Sequence, residues 1–139
     1  MDDPFHLKRF VDAQAPVYQR VLAELRNGRK ASHWMWFIFP QIKGLGSSPM
    51  ANKFAIASRA ETAAYLQHPV LGPRLRECSR LVTAVPDRSI AEILGYPDDL
   101  KFRSSMTLFA AVAADNKDFT DALDKFYGGK ADPATLQRL

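Results

Sequence analysis

The sequence predicts an all-α protein: a single compact domain over residues 1–139, with a short helix buried at its centre. Three observations carry this. Apolar residues recur at the three-and-four spacing of a helix in one segment after another. Serine, proline and glycine fall where helices start and stop. The one run with the composition of a strand, Trp34 to Phe39, lacks a strand to pair with.

The elements follow in order. Leu7, Phe10, Val11 and Gln14 mark one face of a first helix, which Pro16 interrupts. Tyr18, Val21, Leu22 and Leu25 repeat the pattern, and Asn27-Gly28 supplies a left-handed stop. Ser48-Pro49 has the form of a helix start, with serine as cap and proline in the first position. Ser58 and Glu61 have capping-box spacing and open another helix, which ends at His68-Pro69. Leu71, Leu75, Cys78 and Val82 define a longer helix that stops near Pro86. Ile90, Ile93 and Leu94 make a short one ending at Gly95. Pro97-Asp98-Asp99 begins a helix through Phe102, Met106, Phe109 and Val112. Phe119, Leu123 and Phe126 form the next, stopped by Gly128-Gly129, and Asp132-Pro133 caps a last turn. Met1 to Pro4 and Gly128 to Asp132 are expected to be loop-like.

The run Trp34 to Phe39 has the length and aromatic content of a strand. A solitary strand would leave backbone donors and acceptors unpaired in the core. A short helix, apolar on all sides and ended by Pro40, avoids that cost.

Composition bounds the function. A chain of 139 residues with 47% apolar and 24% charged side chains reads as one soluble globular domain. The longest apolar run is far too short to span a membrane, and the N-terminus has no signal-peptide core. Cys78 stands alone on an apolar stripe, which suits a buried structural thiol and a cytoplasmic setting. A net charge of +4 favours an anionic partner. The basic residues are dispersed, in groups such as Arg26, Arg29, Lys30 and Arg74, Arg76, Arg80, so nucleic-acid binding is not expected.

The stretches HWMWFIFPQ at 33–41, GLGSSPMA at 44–51, HPVLGPRL at 68–75 and SSMTLF at 104–109 together resemble a bacterial family catalogued as domain of unknown function 1810. The resemblance covers essentially the whole chain. It implies a compact multihelical fold with a short central helix, and it implies no known activity. Members are sometimes labelled calpastatin, after an animal protease inhibitor. That label does not suit this chain: the inhibitor is disordered, repetitive and polar, whereas this sequence is aromatic-rich and free of repeats.

Chemistry is expected at two places. The first is the loop Gln41 to Ser48, where Lys43 supplies a cation, Gly44 and Gly46 permit close backbone approach, and Ser47 and Ser48 offer hydroxyls ahead of a helix start. The same residues also suit a plain turn with a cap, and the segment is neither a P-loop nor G-x-G-x-x-G. The second is Asp98, Lys101, Ser104 and Ser105, which share a helix face. Serines in mid-helix either permit close packing or line a polar pocket. His33 is a candidate base or ligand contact, and Trp36 a candidate stacking surface at a pocket rim. Gln14 completes an apolar face and needs partners from the central helix or from a ligand. No metal-ligand spacing, cofactor motif or nucleophile elbow is present, and no cofactor is expected.

The expectation is therefore a cytosolic helical domain that binds a small anionic ligand, nucleotide or ADP-ribose-like. The pocket would draw on His33, Trp36, Gln41, Lys43, Ser47, Ser48, Lys101, Ser104 and Ser105. Whether the ligand is also turned over is left open. The alternative is a non-catalytic interaction or regulatory module using a basic helix face, with a protein partner that the sequence does not identify.

Overall fold

The structure, a computed structural model, describes residues 2–139. Among them the chain forms ten helices: α1 (Lys8–Gln14), α2 (Tyr18–Arg26), α3 (Met35–Ile38), α4 (Pro49–Lys53), α5 (Arg59–Gln67), α6 (Leu71–Ala84), α7 (Ile90–Leu94), α8 (Asp98–Val112), α9 (Lys117–Tyr127) and α10 (Pro133–Gln137). The stops are those the sequence marks: Gly28 and Gly128 hold the positive φ angles, +74° and +62°, that end α2 and α9. The two longest helices organise the rest. α8 packs against α5, α7, α9 and α10, while α6 packs against α2, α5 and α9.

The aromatic run forms the buried helix α3. Four residues cannot hold a helix alone, because nucleation costs more than one turn of hydrogen bonds returns. Packing supplies the difference. Trp34, Met35, Ile38 and Phe39 are each at most 2% exposed. Phe39 meets Phe102 of α8 edge-on at 4.8 Å, and Phe37 meets Phe54 at 5.3 Å. α3 also needs an acceptor's partner at its C-terminal end, where carbonyls have no intrahelical donor. Gln14 fills that need: its amide nitrogen donates to the Phe37 carbonyl at 2.7 Å and to the Tyr65 hydroxyl at 3.2 Å. The run is not apolar-packed on all sides, since Trp36 is only half-buried. Among the described residues, backbone pairing in the extended sense is confined to one parallel bridge, Ile42 with Ile56, just beyond Pro40.

Glu24 shapes the turn that delivers the chain from α2 to α3. Its carboxylate accepts from the Ala31 and Ser32 amides, the Ser32 hydroxyl and the Trp34 indole, all within 3.0 Å. Burial pushes this carboxyl up, but those donors outweigh it and hold the pKa below the ordinary 4.5. The folded pKa thus lies below the unfolded one. The stabilisation is fully present above about pH 4.5 and is lost as pH falls through the lower folded value. Glu24→Gln is expected to lower the denaturation midpoint at pH 7 and to flatten its fall below pH 4.5. Identical pH profiles for the two proteins would refute this role.

One local expectation is corrected. Ser58 caps α5 by accepting from the Glu61 amide, but Glu61 does not return the bond; its carboxylate takes the Ala57 amide and Arg9 instead. A reciprocal capping box occurs at Ser89 and Glu92, at the start of α7. Asp2 to Pro4 are loop-like as expected, and the loop is tied down: the Asp3 carboxylate accepts from the Leu7 and Lys8 amides, at 2.8 and 3.0 Å. Met1 lies outside the described residues. Between Gly128 and Asp132, Arg103 donates to the carbonyls of Lys130 and Ala131 and pins the loop to α8.

Candidate functional site

The loop after α3 is built as a turn and a cap. The Lys43 amide donates to the Ile56 carbonyl and the Ile56 amide to the Gln41 carbonyl, which fixes the loop's entry. The Ser48 hydroxyl accepts from the Ala51 amide and caps α4. The Arg138 side chain fills the space that a Cβ on Gly44 would need, 2.9 Å from its Nε. Trp36, Gln41, Gly44, Gly46 and Ala51 border a cleft of about 10 Å³. That is room for roughly one water molecule. Lys43, Ser47 and Ser48 lie exposed outside its lining, and His33 is exposed on the turn before α3.

The second expected group divides: Lys101 reaches Trp36 at the cleft's edge, while its serines lie away from the cleft. Lys101 extends over the Trp36 ring, 5.4 Å from its centroid, and pairs with Asp98 at 3.5 Å. Asp98 also takes Lys30 at 2.9 Å, so Lys101 is not a free cation. The Ser104 hydroxyl donates to the Asp132 carboxylate at 2.7 Å, which also accepts from Thr135. Burial pushes Asp132 up, but the bonds from Thr135 and Ser104 bring its pKa below the ordinary range. Ser104 therefore anchors α10 onto α8. Ser105 is fully buried, and its hydroxyl meets no partner among the described residues. Neither serine lines the cleft beside the loop. An unpaired buried hydroxyl costs stability, and alanine is the better helix former. Ser105→Ala is expected to be neutral or to stabilise by up to about 1 kcal/mol in denaturant unfolding. A loss above about 1 kcal/mol would mean that the hydroxyl is bonded after all.

A more open site lies at the other end of α2. Most arginines are committed to acceptors within the protein. Arg9 and Arg103 hold backbone carbonyls, Arg74 reaches Gln14, and Arg76 and Arg80 share Asp118. The guanidinium groups of Arg26, Arg29 and Arg88 make no hydrogen bond or ion pair with any described residue. These three line two cavities that share Arg88. Arg26 and Arg88 line a cavity of about 390 Å³ between the end of α2 and the end of α6. Arg29 and Arg88 line an adjoining one of about 440 Å³ against α7.

Gly28 makes this arrangement possible. Its positive φ reverses the chain after α2, and a Cβ there would lie 3.1 Å from Val85 Cγ1 and 3.7 Å from Arg88 Nε. Without one, Arg88 lies directly against the turn that carries Arg26 and Arg29. Arg88 itself follows Asp87, whose φ of +58° turns the chain between α6 and the Ser89 cap of α7. Glu92 is the carboxylate of this neighbourhood. A bond from its backbone partner Ser89, with the Ser89 hydroxyl and nearby Arg88, holds it below the usual carboxylate range. Arg26, Arg29 and Lys30 stand out in the sequence as a basic group, but Arg88 carries no local pattern. Only the fold brings it to them.

Elsewhere, Cys78 is 1% exposed and burial pushes its thiol up to about 12, which leaves it an inert core residue. Among the described residues, no cluster of His, Cys, Asp and Glu is placed to hold a metal ion. No helix among them is long and apolar enough to cross a membrane.

The whole fold recurs in a solved structure. The crystal structure of the conserved hypothetical protein Rv1873 from Mycobacterium tuberculosis superposes with a TM-score of 0.97 at 60% identity, over 99% of this chain and 98% of that one. No curated protein matches the chain significantly. The family described as Protein of unknown function (DUF1810) matches residues 4–139. With that match spanning nearly every residue, the chain belongs to the DUF1810 family.

Proposed function

We propose that this protein binds a small anionic ligand, nucleotide or ADP-ribose-like in size, in the arginine groove rather than at the loop of residues 41–48. One observation carries the reading: three arginines whose guanidinium groups have no partner among the described residues line two cavities of about 390 and 440 Å³ that share Arg88. Each cavity falls within the roughly 300–1,000 Å³ usual for small-molecule sites. Guanidinium is planar, always charged and matched to carboxylate and phosphate oxygens. The cleft beside the loop, at about 10 Å³, has no such capacity. The net charge of +4 adds weak long-range attraction for anions. The lone buried thiol suits a reducing, cytoplasmic setting.

A second reading is a non-catalytic interaction module. Tyr96 and Leu100, 80% and 52% exposed at the start of α8, favour it, since they lie beside the groove's Gly95 edge.

A thermal-shift panel of inorganic pyrophosphate, nucleotides and phosphorylated sugars separates the two. A ligand at one hundred times its Kd stabilises by about 2.7 kcal/mol. Arg88→Ala is expected to remove most of that shift, and Lys43→Ala to leave it intact. If no anion raises the melting temperature, or if Lys43 rather than Arg88 controls the shift, the ligand reading falls.

A further inference from the structure

We infer that the groove is shaped for a nucleoside diphosphate carrying a sugar on its outer phosphate, with the diphosphate at Arg88 and one organic arm in each lobe. The inference rests on the anion-binding reading above and deepens it. Arg88 borders both lobes, while Arg26 borders only the first and Arg29 only the second. Arg88 is therefore the cation common to both lobes. A monophosphate held there would place its single organic group in one lobe and leave the other unused. A diphosphate substituted at both ends serves both.

The two lobes differ in chemistry, which sets the arms apart. The first is walled by Leu25, Leu81, Ala84, Val85 and Pro86. This apolar surface suits the face of a flat base, and the Asn27 amide offers a donor and an acceptor at its edge. The second holds Glu92, whose carboxylate is kept ionised by its bonds from Ser89. One Glu92 oxygen already accepts the Ser89 amide at 2.8 Å. The rest of the carboxylate is an acceptor only. It accepts hydroxyl groups, and the unpartnered Arg29 of the same lobe can donate to them. Of the lobe's three cations, Lys30 is already paired with Asp98 at 2.9 Å, which leaves Arg29 and Arg88. A hydroxyl-rich arm is complementary to this mixed surface, since hydroxyls donate to Glu92 and accept from Arg29.

Two exposed alanines allow each lobe to be closed separately: Ala84 in the first and Ala91 in the second. Calorimetric titration would compare inorganic pyrophosphate, ADP and two nucleoside diphosphate sugars, ADP-ribose and UDP-glucose. The wild type is expected to bind at least one diphosphate sugar about tenfold or more tighter than ADP, the equivalent of about 1.4 kcal/mol. Ala91→Phe is expected to erase that advantage while leaving ADP unchanged. Ala84→Phe is expected to weaken ADP and the sugar conjugates together. Both variants should bind pyrophosphate like the wild type, which also shows that they fold. If the sugar adds nothing, or if Ala91→Phe leaves its contribution intact, the two-arm inference is overturned while anion binding stands. If pyrophosphate, ADP and the conjugates all fail to bind the wild type, the anion-binding reading falls with it.

Discussion

Replacing Arg9 by alanine is expected to destabilise the protein by about 3–5 kcal/mol, the usual cost of breaking a buried ion pair from one side. The side chain is 11% exposed and its partner Glu61 only 4%. Its guanidinium uses every nitrogen. Nε donates to the Lys53 carbonyl, Nη1 to those of Phe5 and His6, and Nη2 to the Ala55 carbonyl and the Glu61 carboxylate, all between 2.7 and 2.9 Å. The plane also lies 4.4 Å from the centre of the Phe10 ring. One residue thus ties the N-terminal segment, the α4–α5 connection and the start of α5 together. Truncation removes the ion-pair partner of Glu61, whose carboxylate keeps only the Ala57 amide, and water replaces the bonds to the carbonyls only where they face solvent. Arg9→Lys keeps the charge but not the fork, so it should recover only part of the loss. Denaturant midpoints measure this. A loss under about 1 kcal/mol for Arg9→Ala would mean the network behaves as an ordinary surface pair.

The second large effect belongs to the central helix. Phe39→Ala is expected to cost about 3–5 kcal/mol, as for other large-to-small changes at well-packed aromatic sites. Phe39 is 1% exposed and contacts Trp34 at 6.2 Å as well as Phe102 at 4.8 Å. Its removal opens a void between α3 and α8 that neither rigid ring can fill. Trp36→Ala, three residues away, is expected to cost about 1 kcal/mol or less, as for an exposed cation–π contact, because that indole is half-buried under Lys101. Equal losses at the two positions would contradict the packing described here.

Helix boundaries were legible because their signals are local. Pro16 separates α1 from α2, Ser48-Pro49 opens α4, and Gly128 closes α9, each acting through its own backbone geometry. The helical state of Trp34 to Phe39 was legible by elimination, since no partner strand exists to satisfy its backbone. Gln14 was legible as a buried amide, and its acceptor is the central helix, one of the two partners the sequence allowed. The long-range polar contacts were not legible. Arg9 meets acceptors 44 to 52 residues away, and Glu61 has the spacing of a capping box while serving a different partner. Ser104 reads as a polar face, yet its partner Asp132 lies 28 residues on. Gly, Ser and Lys before a helix suit a ligand loop and a capped turn equally well, and the hydrogen bonds of this loop are those of a turn. Arg88 is a single charge between Asp87 and Ser89, and it acquires meaning only when α6 and α7 carry it against Gly28.

Amide chemical-shift mapping during titration with inorganic pyrophosphate tests the central claim most directly. The account predicts saturable shifts concentrated at residues 26–30 and 87–95, absent in Arg88→Ala. Shifts centred on residues 43–48, or none at millimolar pyrophosphate, would contradict it.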